Sequence, residues 1–388
     1  MSIAVTNRAQ ISLQQESVYG TPPNLPFQIM RFTSDTIKQT TALSQSTEIR
    51  SDRQVPDAAR TDIGVDGDLG FELSASTYDL LLQNALFSAG FSIESTIIAT
   101  DTTVSTSDTD NSFNLGTGTW SQTPAVGQWI QTFGFTNSAN NGKFKVVSAT
   151  SSKIIVTGGI LITEAAGSAI NISQPAQIVN GTSQGSFSIE RKYTDLTNVF
   201  AAFVGMSVNS MSLSISSDQF VTGSFSFIGK SGISPSPTAP IGSGTYSNPT
   251  TNPVLSAVDN VAKILENNTT LDLIDFDVTI NNNLRAQKQI GTLGPIGIGA
   301  GKVDVSGNIK AYFQDSTLMD KFIAGNPSSL AIIMKDSLGS GIILELPQIK
   351  FSAGDAQVGG QDQDVIQSFS YTAYRNSAED VTIRIVTF

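Results

Sequence analysis

The side chains alternate in character along the stretch Val65-Asp66-Gly67-Asp68-Leu69-Gly70-Phe71-Glu72-Leu73. Odd-numbered positions are apolar or glycine, and even-numbered positions are acidic or glycine. A period of two residues is typical of a β-strand with one face on an apolar core and the other towards solvent. The stretch therefore predicts a sheet with an acidic outer face.

The sequence on either side of this strand extends the prediction. Ser76-Thr77-Tyr78-Asp79 resembles a capping box, and the apolar run after it predicts a helix of about three turns that ends near Gly90. Upstream, a strand is predicted from Phe27 to Ile37. Residues 40–62 are polar and lack a sustained period, which predicts a long irregular connection.

The middle of the chain changes character. Residues 97–175 are rich in Thr, Ser, Gly and Asn and contain short β-like runs, which predict a small inserted all-β domain. The first module resumes over 176–230, where residues 196–203 predict a short helix between strands. Residues 231–255 are dominated by Gly, Ser, Thr and Pro and predict a linker.

The last part, residues 256–388, repeats the order of elements found in residues 1–96. With an offset of 240, Val65-Asp66-Gly67-Asp68-Leu69 aligns with Val305-Ser306-Gly307-Asn308-Ile309. Both copies contain a strand, a polar arm, a second strand and a helix. This order predicts a duplicated module.

Composition excludes several classes of function. The 388 residues include no His and no Cys, which removes the commonest general base, the usual zinc and haem ligands, thiol nucleophiles and disulfides. The net charge of −11 argues against a tight nucleic-acid binder, although DNA could pass such a protein without sticking. No catalytic residue, cofactor or metal is predicted. The N-terminus does not resemble a secretory signal, and no apolar run is long enough for a membrane span.

Several motifs, in their order, resemble those of major tail tube proteins of long non-contractile-tailed (siphovirus-type) bacteriophages. The similar segments are Arg31-Phe32-Thr33-Ser34-Asp35, Glu48-Ile49-Arg50-Ser51-Asp52-Arg53-Gln54, Gly67-Asp68-Leu69-Gly70-Phe71-Glu72-Leu73-Ser74, Thr77-Tyr78-Asp79, Val221-Thr222-Gly223-Ser224-Phe225-Ser226-Phe227-Ile228-Gly229-Lys230 and Asn281-Asn282-Asn283-Leu284-Arg285. The resemblance covers both modules. Residues 97–175 are similar to β-rich insertions that some of these proteins carry on the outside of the tube.

This resemblance implies a mainly β fold, with two β-sandwich modules that each have a flanking short helix. Modules would form rings, and stacked rings would form a tail tube whose lumen conducts DNA from the capsid to the host cell. Two modules per chain imply a trimeric pseudo-sixfold ring, with a hexameric ring as the alternative. Implied partners are further copies, terminator and tape measure proteins, and double-stranded DNA passing without specific binding; no membrane is implied. The implied location is the virion, after assembly in the host cytoplasm.

Two sets of residues are candidates for these roles. An acidic strand face that lines the lumen would repel phosphate; the alternative is an ordinary solvated face. A polar arm would bridge stacked rings; the alternative is a surface loop. The lumen candidates are Asp66, Asp68, Glu72 and Asp304, and the arm candidates are Glu48, Ile49, Arg50, Asp52, Arg53, Leu284 and Arg285.

The sequence leaves one other class of function open, a β-rich surface binding module or adhesin. That class would need secretion, and carbohydrate sites favour exposed aromatic side chains. The chain has only 2 Trp and 7 Tyr. The tail tube is therefore the favoured interpretation, and the chain is not predicted to be an enzyme.

Overall fold

The first 85 residues supply five strands and one short helix. The computed structural model describes residues 3–197, 199–236 and 241–388. The helix has two turns rather than the three predicted, because Leu86 already caps it and Phe87 has a φ of +51°. The elements are a 3-10 turn (Thr6–Arg8), β1 (Ala9–Gln15), β2 (Phe27–Ile29), β3 (Ser34–Asp35), β4 (Lys38–Gln45), β5 (Ala58–Glu72) and α1 (Asp79–Ala85).

The alternation predicted for residues 65–73 is present in β5. Val65, Leu69 and Phe71 are buried, whereas Asp66 and Asp68 are exposed. The odd-numbered residues therefore face the core, as the period of two predicts.

The prediction of a long irregular connection over residues 40–62 is wrong, because both ends of this segment are regular β-structure. Thr41 lies opposite Ile63 in an antiparallel hairpin of β4 and β5, and only residues 46–57 form its loop. All eight residues of β4 are exposed, so the strand has no apolar period. The single strand predicted over 27–37 is divided, because β2 pairs with β1 whereas β3 pairs with β5.

Residues 95–174 form a separate seven-stranded sheet with its own apolar core. The chain enters this sheet through β6 and leaves it through β12, and these two strands pair with each other, with Ser95 opposite Gln174. The strands are β6 (Ser95–Asp101), β7 (Val104–Ser107), β8 (Ser112–Leu115), β9 (Trp129–Phe133), β10 (Gly142–Ala149), β11 (Lys153–Thr157) and β12 (Ile170–Gln174), with a 3-10 turn at Ser138–Asn140.

The helix predicted over residues 196–203 is wrong, because Val199 begins the longest strand of the chain. Residues 200–208 are all buried, and an apolar run buried on both faces has no strand period to distinguish it from a helix. The segment predicted as a linker contains two strands, and its residues 237–240 lie outside the described residues. The strands are β13 (Ala176–Val179), β14 (Phe187–Tyr193), β15 (Val199–Ser216), β16 (Thr222–Gly229), β17 (Ser231–Ser236) and β18 (Tyr246–Ser247).

The C-terminal part contains ten strands and the second helix. Its last strand pairs with β13, so a strand that precedes β14 in the sequence contributes to the sheet of the second module. The elements are β19 (Val261–Glu266), β20 (Thr269–Thr270), β21 (Leu273–Asn281), β22 (Arg285–Gln287), β23 (Gly297–Gly299), β24 (Asp304–Tyr312), α2 (Thr317–Ala324), β25 (Ser328–Lys335), β26 (Gly341–Gln357), β27 (Ile366–Ala373) and β28 (Arg384–Thr387).

One antiparallel sheet of eight strands runs through both modules. Its order is β4-β5-β16-β15-β21-β24-β27-β26, with four strands from each module. The long strands β15 and β26 also enter a second layer, where β14 and β25 pair with their first halves. The main apolar core lies between the two layers. The fold is therefore mainly β, with two sandwich modules and one short helix in each.

The duplication extends to irregular details. The helix α1 packs against β15, and α2 packs against the equivalent strand β26. A bulge lies between Val208 and Ser210 of β15, and a matching bulge lies between Phe351 and Ala353 of β26. Since bulges re-aim a strand, they occur here where each long strand passes from one layer to the other.

The seven-stranded sheet docks on the second module. Trp129 is buried against Leu265, Ile343 and Val386, and its indole N–H donates to Glu345 Oε2 at 2.9 Å. In the sequence, the inserted sheet lies between two parts of the first module. In the structure, it is anchored to the second module.

Candidate functional site

The eight-stranded sheet has one face away from the core, which we call the polar sheet face. It consists of the outward-pointing residues of the eight strands, and Ser and Thr are frequent on it. In β15 these residues are Ser210, Ser212, Ser214 and Ser216, which alternate with buried Met211, Leu213 and Ile215.

The structure brings all four lumen candidates to this face. Asp66, Asp68 and Asp304 are exposed, and Glu72 is half-buried. A row of directly opposite residues in consecutive strands connects the modules, and it comprises Asp68, Ser226, Ser210, Asn281 and Asp304. Residues more than 200 positions apart in sequence therefore belong to one continuous surface.

Several carboxylates on this face have partners within the chain. Asp68 accepts a hydrogen bond from the Ser226 hydroxyl. Asp304 pairs with Lys302 at 2.6 Å and accepts a hydrogen bond from Asn283 at 2.9 Å, and these contacts hold the pKa of Asp304 below its usual value. Asp304 is therefore ionised at neutral pH.

Sequence reasoning missed several charged residues of the polar sheet face. Asp275 and Asp277 alternate with Phe276 and Val278 in β21, so the period of two could have revealed them. Lysines are present as well, and Lys310 pairs with Asp275 at 3.0 Å. The further charged residues are Asp62, Asp275, Asp277, Asp355, Lys38, Lys310 and Lys350. Carboxylates outnumber lysines on these strands, so the face is acidic overall.

The first arm candidate is the loop of the β4–β5 hairpin, residues 46–57. Ile49 is 99% exposed at this loop, and Arg50 and Asp52 form an exposed ion pair at 2.8 Å. The hydrogen bond from Arg50 lowers the pKa of Asp52. Glu48 and Arg53 are also exposed. The loop thus extends beyond the sandwich without packing on its core.

The second arm differs from the first. Arg285 begins the β22–β23 hairpin and donates to the Ala300 carbonyl at 3.1 Å, and the Leu284 N–H donates to Asn209 at 2.9 Å. Lys288 pairs with Asp62 of the first module. The second arm therefore folds back on its own chain.

A cluster of buried charges anchors the inserted sheet. Lys145 contacts Glu345 at 2.5 Å and Glu379 at 2.6 Å, and Arg384 contacts the same two carboxylates at 2.6 and 2.9 Å. Although burial raises the pKa of Glu379, Lys145 and Arg384 hold it below its usual value. Each charge has an opposite partner, so removal of any one side chain would leave an uncompensated charge buried between the inserted sheet and the second module.

Metal sites and membrane-spanning helices are both absent from the part of the chain that the structure describes. No group of three or more acidic side chains in residues 3–197, 199–236 and 241–388 is placed to hold a metal ion. Neither of the helices within those ranges is long and apolar enough to cross a membrane.

The described residues form a mainly β protein, in which two sandwich modules share one sheet with a long polar face. The sequence profile of the phage tail tube protein family matches residues 6–373, so the chain belongs to that family. The family is structural, and its members are components of phage tails. Among curated proteins, no sequence matches the chain significantly.

Proposed function

We propose that copies of this chain close into rings, and that stacked rings form a tail tube with the polar sheet face towards the lumen. The observation that carries this proposal is the eight-stranded sheet with two unpaired edge strands. Within the described residues, β4 pairs only with β5, and the second half of β26 pairs only with β27. Ring closure would satisfy both edges.

The size of the sheet supports a ring of three chains. Three copies supply 24 strands, which at a spacing of about 4.8 Å give a diameter near 37 Å. That leaves room for duplex DNA inside the side chains. Six copies would give a diameter near 73 Å by the same spacing, which is much wider than one duplex needs. We therefore favour the trimeric, pseudo-sixfold ring over the hexameric ring.

The charge of the polar sheet face supports passage of DNA rather than binding. Asp66, Asp68 and Asp304 would recur in every ring and would repel phosphate along the lumen. Terminator and tape measure proteins would contact the ends and the interior of the tube, which would be assembled in the host cytoplasm and act in the virion.

Negative-stain microscopy of the purified chain tests this proposal. We expect rings or tubes with a regular axial repeat at high protein concentration. A chain that stays monomeric at every concentration and salt condition would contradict the proposal.

A further inference from the structure

The junction between the two modules of one chain has a defined register. Seven consecutive residue pairs join β15 to β21, from Ser210 opposite Asn281 to Ser216 opposite Asp275. This antiparallel junction lies inside the sheet, where both strands have a neighbour on each side. The pairing of β15 with β21 therefore shows the register that the equivalent strands of two neighbouring chains could adopt.

The duplication relates β26 to β15. The bulge after Phe351 in β26 occupies the place of the bulge after Val208 in β15. Counting onward from the two bulges, Asp355 corresponds to Ser212.

The duplication also relates β4 to β21. Gln39 lies opposite Val65 as Ile280 lies opposite Val305. Lys38, the residue before Gln39, therefore takes the place that Thr279 holds in β21.

We propose that β26 of one copy pairs antiparallel with β4 of the next copy, with Asp355 directly opposite Lys38. This register rests on the ring closure proposed above and adds its atomic specification. Ser212 lies opposite Thr279 in the internal junction, so the same register applied to the two edges places their counterparts together. This register is derived from backbone positions, without regard to side-chain charge. It places a lysine of one copy opposite an aspartate of the next, and such opposite-charge pairs stabilise paired strands. The charge match therefore supports the register independently.

The backbone of β4 is oriented for this ladder. The Thr36 N–H donates to the Asp68 carbonyl, at 3.0 Å, on the β5 side. Backbone groups alternate in direction along a strand, so those of Lys38 also point to β5 and those of Gln39 point to the free edge. The Lys38 side chain then lies in a non-hydrogen-bonded pair, where opposite side chains are closest.

The ladder has a defined beginning. The backbone N–H and carbonyl of Ile37 already have hydrogen-bond partners within the chain. Asp35 Oδ1 accepts the Ile37 N–H at 2.9 Å, and Arg191 donates to the Ile37 carbonyl at 2.7 Å. The first backbone pair between copies is therefore Gln39 with Gly354.

Disulfide trapping tests the register, because the chain has no Cys of its own. Thr40→Cys combined with Ala353→Cys places two thiols directly opposite, with Cα atoms about 4.5 Å apart, inside the roughly 4.4–6.8 Å range of disulfides. The control combines Thr40→Cys with Gln357→Cys, four residues further on and about 14 Å away. We expect oxidised rings of the first variant to migrate as covalent oligomers and those of the control to migrate as single chains.

Charge reversal provides a second readout. Asp355→Lys alone should raise the concentration needed for tube formation severalfold, because it places two lysines opposite each other, and adding Lys38→Gln should lower that concentration again. Lys38→Gln is used because Lys38 also lies opposite Asp66 of its own chain, where a new carboxylate would be repelled. Rings that link only through the control pair, or a double variant as poor as Asp355→Lys alone, would overturn the register while leaving ring closure intact. An unmodified chain that forms no rings would overturn ring closure and the register together.

Discussion

At the scale of residues, Gly67 allows the connection between β3 and β4 to lie close against β5. Its φ is +145°, and a Cβ there would lie 2.5 Å from the Ile37 Cα atom. Gly67→Ala should therefore destabilise the fold by about 1–3 kcal/mol. The matched control is Gly64→Ala, whose Cβ would meet only the Thr40 hydroxyl at 3.6 Å. Denaturant unfolding measures both variants, and equal losses would contradict the role of Gly67.

The charge of the polar sheet face is also tested at single residues. Asp66→Lys with Asp68→Lys should leave the fold stable, because both side chains are exposed. The variant should slow DNA ejection at low ionic strength, since each lysine adds an attractive phosphate contact that salt weakens. Glu94→Lys, an exposed change before β6, is the control. Ejection rates of assembled particles that match the control at all salt concentrations would place Asp66 and Asp68 outside the channel.

At the scale of elements, the loop of the β4–β5 hairpin is expected to connect rings. Replacing residues 47–56 by a short turn keeps both strands and removes Ile49 and Arg50, which contribute nothing to the core. We expect rings to form but not to stack into tubes, as seen by electron microscopy. Normal tubes with an unchanged axial repeat would show that the loop has no bridging role.

Elements were predictable where burial is one-sided. The strand β5 was found because Leu69 and Phe71 alternate with exposed carboxylates. The strand β4 gives no periodic signal because all its residues are exposed, and the start of β15 resembles a helix in sequence because it is buried on both faces. Periodicity reports a difference between two faces, so it fails where the faces are alike.

At the scale of the whole molecule, the docking of the inserted sheet was not predictable. Trp129 and Glu345 are 216 positions apart, and no local pattern links them. A buried Trp in the insertion was equally consistent with packing in its own core. Only the packed structure reveals that the insertion and the second module share a buried charge cluster.

This docking should depend on pH. Since Lys145 and Arg384 lower the pKa of Glu379 from about 4.5, the cluster stabilises the docked state above that pH. The stabilisation is lost as pH falls through the lowered pKa of Glu379. In a Trp120→Phe background, Trp129 fluorescence should shift to the red on acidification. The control Glu379→Gln should weaken docking near neutral pH and flatten this transition; an unchanged acid transition would contradict the assignment.

In the proposed tube, the polar sheet face of closed rings lines a channel. A cryo-electron microscopy map of the tube would show this arrangement, because it gives the number of inner strands and the radial position of each. We expect 24 inner strands, eight from each of three chains, with Asp68 and Asp304 pointing to the axis. A tube in which this face points outward, or in which β4 and β26 do not meet between chains, would contradict it.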